Sequence, residues 1–404
     1  MTQASGGSIF AKMNAEAFRW HSAARVFDGA GREHFPCGAG AGVIAERPAG
    51  LALGQAIAAG CFRIGGEGAA PQAGFETLTS GSSGAARRVR RNHGSWIASF
   101  VVNAGFFGIG PSRRVAVLGR LSHSLSLYGA LEAVHLGAEL HLLDDLRPDR
   151  QRRVLAERRV EVLYATPAQM RLMVEAGGVG LADLRQVLIG GSKLDAGLRA
   201  GLRAMAPRTV LREFYGAAEA SFITIADSYT PDDSVGRAYP GVEIQVFAGA
   251  AAGEIGEIWV RSPYLFDGYA GNDPGSARWR EGWLSVGELG ALRDGQLYLA
   301  GRAGRMVTVA DQNVFPEEIE AFLQGLAGVK RVAVLPVQDV LRGYHLVAVM
   351  QGDARQEAAI LAAARVRLGP LKAPKMLIWR EDWPVLGSGK SDLVALEREL
   401  GSWR

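Results

Sequence analysis

The chain has 404 residues, 48% hydrophobic and 21% charged, with a formal net charge of +4. That balance excludes a disordered or fibrous polypeptide and leaves room for two or more domains. Its two cysteines, Cys37 and Cys61, form no CxxC pair and its seven histidines no HExxH pattern, so a disulfide framework is excluded and a structural zinc site is not expected. No apolar run approaches the roughly 20 residues that span a bilayer. The opening MTQASGGSIFAKMNAEAF lacks a basic region followed by an apolar core, so the expected setting is the cytoplasm.

The first seventy residues, rich in alanine and glycine, yield no clear pattern; regular alternation begins at Gly74. Phe75–Leu78 reads as a strand running into the loop Thr79-Ser80-Gly81-Ser82-Ser83-Gly84. Strands are expected at Arg114–Leu118, Glu139–Leu143, Glu161–Ala165, Val187–Ile189 and Thr209–Phe214. Helices at Ser126–Leu136, Pro148–Arg158 and Asp195–Met205 alternate with them, and Thr166-Pro167 is an N-cap followed by proline at the first helical position. This alternation predicts a mostly parallel α/β sheet. Between Ser234 and Leu299 the pattern changes to short strands, Val242–Phe247, Glu257–Val260 and Gln296–Leu299, which predicts a β-rich subdomain. Beyond Gly301-Arg302 come helix Pro316–Leu326, strands Arg331–Leu335 and His345–Met350, helix Gln356–Arg367, strand Met376–Trp379 and a terminal helix, enough for a small α+β domain.

The sharpest local feature is Thr79–Gly84, where hydroxyls alternate with glycines just after a strand. Backbone N–H and side-chain O–H groups there can converge on one anion, because glycine permits close backbone approach; the plainer reading is a polar turn. The loop lacks the Gly-Lys-Ser/Thr ending of a Walker motif, and Ala85 breaks the last position of a G-x-S-x-G nucleophile elbow. Gly387-Ser388-Gly389-Lys390-Ser391 resembles a Walker ending, but Pro384 stands where the first glycine belongs. Arg87-Arg88-Val89-Arg90-Arg91 is either a contact for a small polyanion or a solvated turn. Tyr215-Gly216-Ala217-Ala218-Glu219 follows a strand at the end where open α/β sheets bind ligands, and a carboxylate there can hold Mg²⁺ beside phosphates.

Taken in order, Thr79–Gly84, Tyr215–Glu219, Gly256–Val260, Gly282-Trp283-Leu284-Ser285-Val286-Gly287-Glu288, Gly301-Arg302, Asn313–Glu320 and Gly389-Lys390 form a series that resembles the ANL superfamily of acyl- and aryl-CoA synthetases, adenylation domains and luciferases. The resemblance covers roughly residues 74–392. It implies a large N-terminal domain over residues 1–301, built of mostly parallel α/β sheet plus the β-rich subdomain, and a small mobile α+β domain over 302–404. The activity implied is ATP- and Mg²⁺-dependent conversion of a carboxylic acid to an acyl-adenylate, followed by transfer to a thiol, CoA by default.

On matching positions, Thr79, Ser80, Gly81, Ser82, Ser83 and Gly84 would grip the ATP phosphates, with Arg87 in place of the usual lysine. Tyr215 would stack on adenine beside Gly216, Ala217 and Ala218; Glu219 would be the Mg²⁺ ligand; Glu288 and Arg302 would reach the ribose. Lys390 would bridge ATP and the substrate carboxylate, and His123, Gly190, Gly191 and Gly216 would line the acyl pocket. The segment around His123 lacks an aspartate to hold an α-ammonium, so a simple acyl or aryl acid is expected rather than an amino acid.

Several positions depart from the family pattern: Ala218 replaces a threonine, Gly304 stands at the hinge, and Thr308 and Asp311 replace a lysine and a glycine near the thiol route. These departures bear on the second half-reaction and keep a carrier protein's phosphopantetheine as an alternative acceptor to CoA. A non-catalytic nucleotide- or acyl-binding protein, and a nucleic-acid module built on Arg87–Arg91, are the competing classes. The region before the phosphate loop is shorter than in the family, which homodimer formation would compensate.

Overall fold

The computed structural model describes residues 17–402 except 39–41, 67, 80–86, 228, 248–253, 272–274, 311, 340–342 and 387–389. Ser80–Gly84, Asp311 and Gly387–Gly389 therefore lie outside the described residues.

The parallel sheet is present in the order Arg25–Phe27, Glu139–Leu142, Arg114–Val117, Val162–Ala165, Gln186–Gly190, Val210–Ala217. Its central strands, Val162–Ala165 and Gln186–Gly190, read as nearly continuous apolar runs because both faces are covered. Val115, Val117, Val162, Tyr164 and Leu188 point into one core, whereas Ala116, Leu118, Leu163, Val187 and Ile189 point into the other. Helices Pro148–Glu157, Pro167–Glu175 and Ala196–Met205 cover the second face through Leu155, Met170, Met173, Leu198 and Leu202.

Local chemistry sets the helix starts. Thr166 accepts from the Gln169 N–H while the Gln169 side chain answers its backbone, a complete capping box, and Asp195 accepts from the Leu198 N–H. Each cap follows directly on or shortly after a sheet strand, so the functional loops collect at the strands' carboxyl ends.

The β-rich region is not a detached unit. Ser221–Ile225 pairs antiparallel with Val210–Ala217, and the sheet continues through Arg237–Ala238, Gln296–Arg302, Glu288–Arg293 and Gly256–Arg261. A second, five-stranded sheet joins Val43–Ile44, Phe62–Ile64, Phe75–Leu78, Arg88–Arg91 and Gly268–Tyr269.

That sheet corrects the reading of the arginine cluster as a solvated turn. Arg88–Arg91 is a strand, and Arg91 is fully buried. Alternation sends Val89 and Arg91 inward, so the cluster offers no continuous basic stripe to a nucleic acid. Helix His93–Phe106, capped by Asn92 accepting from the Ser95 N–H, follows at once and was not anticipated. Neither were the two- and three-residue strands before residue 65, nor helix Ala49–Ala59, which has no side-chain cap at its start.

Residues after Arg302 have their own core, formed by Val309, Val314, Ile319, Leu323, Val334, Ala348, Met350 and Leu377 among others. Val329–Asp339 and Gly343–Gly352 form an antiparallel pair, with Met376–Trp379 parallel to the second. Helices Pro316–Gln324 and Glu357–Lys372 lie on one face, and the terminal helix reaches Ala333, Leu335 and Val349 on the other through Leu396. No helix among the described residues is long and apolar enough to cross a membrane.

Candidate active site

A cleft of about 1610 Å³ opens at the carboxyl ends of the parallel strands, between them and the C-terminal unit. Ligands of open α/β sheets bind at that end. Of the residues singled out from sequence, Thr79, Arg87, His123, Gly190, Gly191, Tyr215, Gly216, Ala217, Ala218, Glu219, Glu288, Arg302 and Lys390 all line it.

Tyr215 and Glu288 meet at its centre. The Tyr215 hydroxyl donates to Glu288 Oε2, and Arg302 Nε donates to Glu288 Oε1 at 3.4 Å. Strand pairing places Glu288 opposite Arg302, so the ion pair follows from register. Burial, then the Glu288 charge, pushes the Tyr215 phenol well above its ordinary pKa, so it remains a donor.

Lys390 reaches across from the C-terminal unit. Its Cε and Nζ lie 3.7 and 3.9 Å from the point a Cβ on Gly191 would occupy. Gly191 has φ +106°, a conformation natural to glycine, and the lysine lies at ordinary contact distance from that point. Burial, then the Arg302 charge, pulls the Lys390 ammonium down to about 8, partly offset by Glu288.

Glu219 sits in the turn between strands Val210–Ala217 and Ser221–Ile225. It accepts from the Tyr269 hydroxyl at 2.9 Å, and its carbonyl accepts from the Phe266 N–H at 2.8 Å. Beneath it, Arg91 donates to the Ala218 carbonyl at 2.5 Å, to Ser221 Oγ at 2.8 Å and to the Tyr264 carbonyl. The turn is tight: a Cβ on Gly216 would lie 2.1 Å from the Ser221 carbonyl oxygen.

Thr79 and Arg87 close the neck of the hydroxyl-rich loop. The Thr79 N–H donates to the Arg87 carbonyl at 2.8 Å, and the Arg87 N–H to Thr79 Oγ1 at 3.0 Å. The Arg87 guanidinium stands 5.8 Å from the centre of the Tyr269 ring and 3.4 Å from Ser276 Oγ. His123 precedes helix Ser124–Leu136, with Nδ1 3.2 Å from Ser122 Oγ, and burial lowers its pKa.

Sequence reasoning missed Trp96, Tyr128, Phe222 and Tyr269, and took Arg91 only as one member of the Arg87–Arg91 cluster rather than as a buried support. Arg91 alone carried a signal, since a single charged residue on the inward side of an alternating strand needs buried partners. The aromatic residues belong to no local pattern that separates a pocket wall from ordinary core. Among the described residues no group of three or more His, Cys, Asp or Glu side chains could hold a metal ion.

The family described as AMP-binding enzyme matches residues 75–270. An uncharacterised acyl-CoA ligase, YhfT of Bacillus subtilis, is 32% identical over 322 residues, 78% of this chain and 66% of that protein. A putative long chain fatty acid-CoA ligase, VraA of Staphylococcus haemolyticus, is 28% identical over 318 residues, covering 78% and 67%. The chain thus spans about two thirds of the length of these relatives. Among solved structures, the amide bond synthetase McbA of Marinactinospora thermotolerans superposes with a TM-score of 0.70 at 24% identity, over 80% of this chain and 69% of that one. The o-succinylbenzoate CoA synthetase of Bacillus subtilis, in complex with its acyl-adenylate intermediate, gives a TM-score of 0.70 at 22% identity, over 80% and 68%. At these identities the structural likeness speaks to the fold.

Proposed function

Because this chain belongs to the superfamily of adenylate-forming enzymes that includes the acyl- and aryl-CoA ligases, we propose that it uses ATP and Mg²⁺ to convert a carboxylic acid to its acyl-adenylate and then transfers the acyl group to a thiol. One observation carries this reading: Lys390, from the C-terminal unit, projects beside Gly191 and next to the Glu288–Arg302 pair of the large sheet.

In this reading the Tyr215 ring lies against adenine, with Gly216, Ala217 and Ala218 beneath it, and Glu288 and Arg302 hold the ribose hydroxyls. The Glu288 carboxylate is already oriented by two donors, so little ordering remains for nucleotide binding to impose. Thr79, Arg87 and the loop Ser80–Gly84 receive the phosphates. Glu219 fits Mg²⁺ that arrives with the nucleotide, since this ion is commonly bound by one or two carboxylates plus substrate phosphates. Such an ion supplies charge neutralisation on the phosphate oxygens.

A substrate carboxylate oxygen attacks the α-phosphorus, the bond to the β-phosphate bridge breaks, and pyrophosphate leaves. Lys390 places its positive charge against the pentavalent centre, where a partly dehydrated cation acts more strongly than in water. A thiolate then attacks the acyl carbonyl, forming the thioester as the bond to AMP breaks. Residues 302–404 are the unit that rotates between the two steps, withdrawing Lys390 and admitting the thiol. CoA is the default acceptor; a carrier protein's phosphopantetheine presents the same thiol arm.

Acid-dependent ATP–pyrophosphate exchange, with hydroxylamine trapping of the adenylate, tests the reading. Exchange with at least one acid that disappears in Lys390→Ala is the expected result. Nucleotide binding without exchange for any acid would point instead to a ligand-binding protein that keeps the fold.

A further inference from the structure

Resting on that reading, we infer that the acyl pocket takes a compact, apolar carboxylic acid, no larger than a substituted benzoate, and rejects long-chain fatty acids. The inference comes from a continuous wall of rings that begins one residue from the Lys390 contact.

The outer edge of the Phe214 ring sits on Gly190, so closely that a Cβ there would fall 2.4 Å from Phe214 Cζ. Gly190 is thus the seat that brings the ring up to the reacting end, and its neighbour Gly191 faces Lys390. From Phe214 the wall runs to Phe222 with ring centres 4.5 Å apart, to Tyr128 at 5.4 Å, and on to Trp96 at 5.1 Å. Phe222, Tyr128 and Trp96 are 3%, 5% and 2% exposed, and all four rings line the cleft. Such edge-to-face and tilted packing leaves no channel between them for an alkyl chain.

What stands behind the wall keeps it shut. Tyr128 OH is 2.7 Å from Ser99 Oγ and accepts from Asn103 Nδ2 at 3.0 Å. Phe222 stacks on Tyr239 at 4.9 Å, and the Tyr239 hydroxyl donates to Asn103 Oδ1 at 2.5 Å. Asn103 also donates to Glu132 Oε1 at 2.8 Å, and the Tyr164 hydroxyl donates to Glu132 Oε2. Ser99, Asn103, Tyr239 and Glu132 are each at most 1% exposed and do not border the cleft. Swinging Tyr128 aside would strip this buried polar layer of a partner, and an alkyl chain pushed past it would meet a carboxyl group. A pocket closed by apolar ring faces near the reacting end suits a ring or a short branched chain.

The test is acid-dependent pyrophosphate release by the full chain with MgATP, across isobutyrate, benzoate, hexanoate, dodecanoate and palmitate. Benzoate or isobutyrate should exceed dodecanoate in kcat/KM by about tenfold or more, since even one methylene too many in a closed pocket changes discrimination by roughly that factor. Phe222→Ala should move the preference toward hexanoate and longer acids, and Phe222→Leu, which keeps more of the core volume, should move it the same way by less. Preference for dodecanoate or palmitate, or a Phe222 variant that folds and leaves the ranking unchanged, overturns the size inference while leaving adenylation standing. Release with none of the acids, although ATP binds, sinks both.

Discussion

Arg302 and Arg305 stand on one short segment yet are tied to opposite parts of the molecule. Arg302 pairs with Glu288 of the large sheet at 3.4 Å, whereas Arg305 forks onto Glu320 at 2.8 and 3.2 Å and reaches Glu317 at 3.1 Å, both on helix Pro316–Gln324. Arg305 also donates to the Val334 carbonyl at 3.0 Å. Between the two, the Ala303 N–H still donates to the Gly287 carbonyl at 3.0 Å on the large-sheet side, so Gly304 is the residue that stands between the anchors.

A Cβ at Gly304 would meet nothing within 4 Å, so the glycine is not there to avoid a clash. Its contribution is freedom of the backbone. Gly304→Pro is expected to cut overall thioester formation by about tenfold or more while single-turnover adenylate formation falls much less, because hinge changes limit conformational steps rather than the chemistry. Rapid-quench measurement of both products separates the two; equal losses would place the hinge elsewhere.

Lys390→Ala should reduce ATP–pyrophosphate exchange by roughly 100-fold or more, the scale of losing one charge aimed at a transition state, with a melting temperature close to that of the parent. The pH dependence carries a sign. With its pKa at about 8, Lys390 is a cation below that value and loses its charge above it. The kcat/KM for ATP should therefore fall as pH rises through about 8. In Lys390→Arg the guanidinium stays charged, and whatever activity remains should keep no such alkaline limb.

Arg91→Met would leave the Ala218 and Tyr264 carbonyls and Ser221 Oγ without their buried donor. A loss of about 2–4 kcal/mol in urea unfolding is expected for removing a fully buried, multiply bonded guanidinium. Because those acceptors frame the Glu219 turn, a weaker apparent affinity for Mg²⁺ should accompany it. A variant as stable as the parent would show that the turn does not depend on Arg91.

Burial pushes the Glu132 carboxyl up to about 8, against hydrogen bonds from Tyr164, Asn103 and Tyr128 that lower it. The folded state keeps this proton where the unfolded chain has already released it. The contribution is therefore full below the ordinary carboxyl range and declines as pH rises toward about 8. The steepest slope for one such proton is about 1.4 kcal/mol per pH unit. Glu132→Gln should flatten the fall in melting temperature across that window; an unchanged profile would assign the dependence to another group.

Much of the site could be read from the chain because it is local. Thr166 and Asp195 cap their helices within three residues, and Tyr215–Glu219 runs off the end of strand Val210–Ala217. Runs such as Arg114–Val117 and Val162–Ala165 declare a strand buried on both faces by composition alone. The N-terminal stretch was opaque for the opposite reason: strands of two or three residues have no measurable period, and their pairing comes from neighbours far along the chain.

By itself the sequence determined the adenylate-forming family, the alternating framework and the order of Thr79, Glu219, Glu288, Arg302 and Lys390, because these depend on short spacings and on residue type. Only the tertiary structure decided that Arg91 is a buried strut, that Lys390 faces Gly191, and that Phe214, Phe222, Tyr128 and Trp96 close one wall. Apart from Phe214 and Phe222, which are neighbours along the chain, those relations join residues tens to hundreds of positions apart. They exist only once sheet register and packing bring the side chains into contact, and no local preference encodes them.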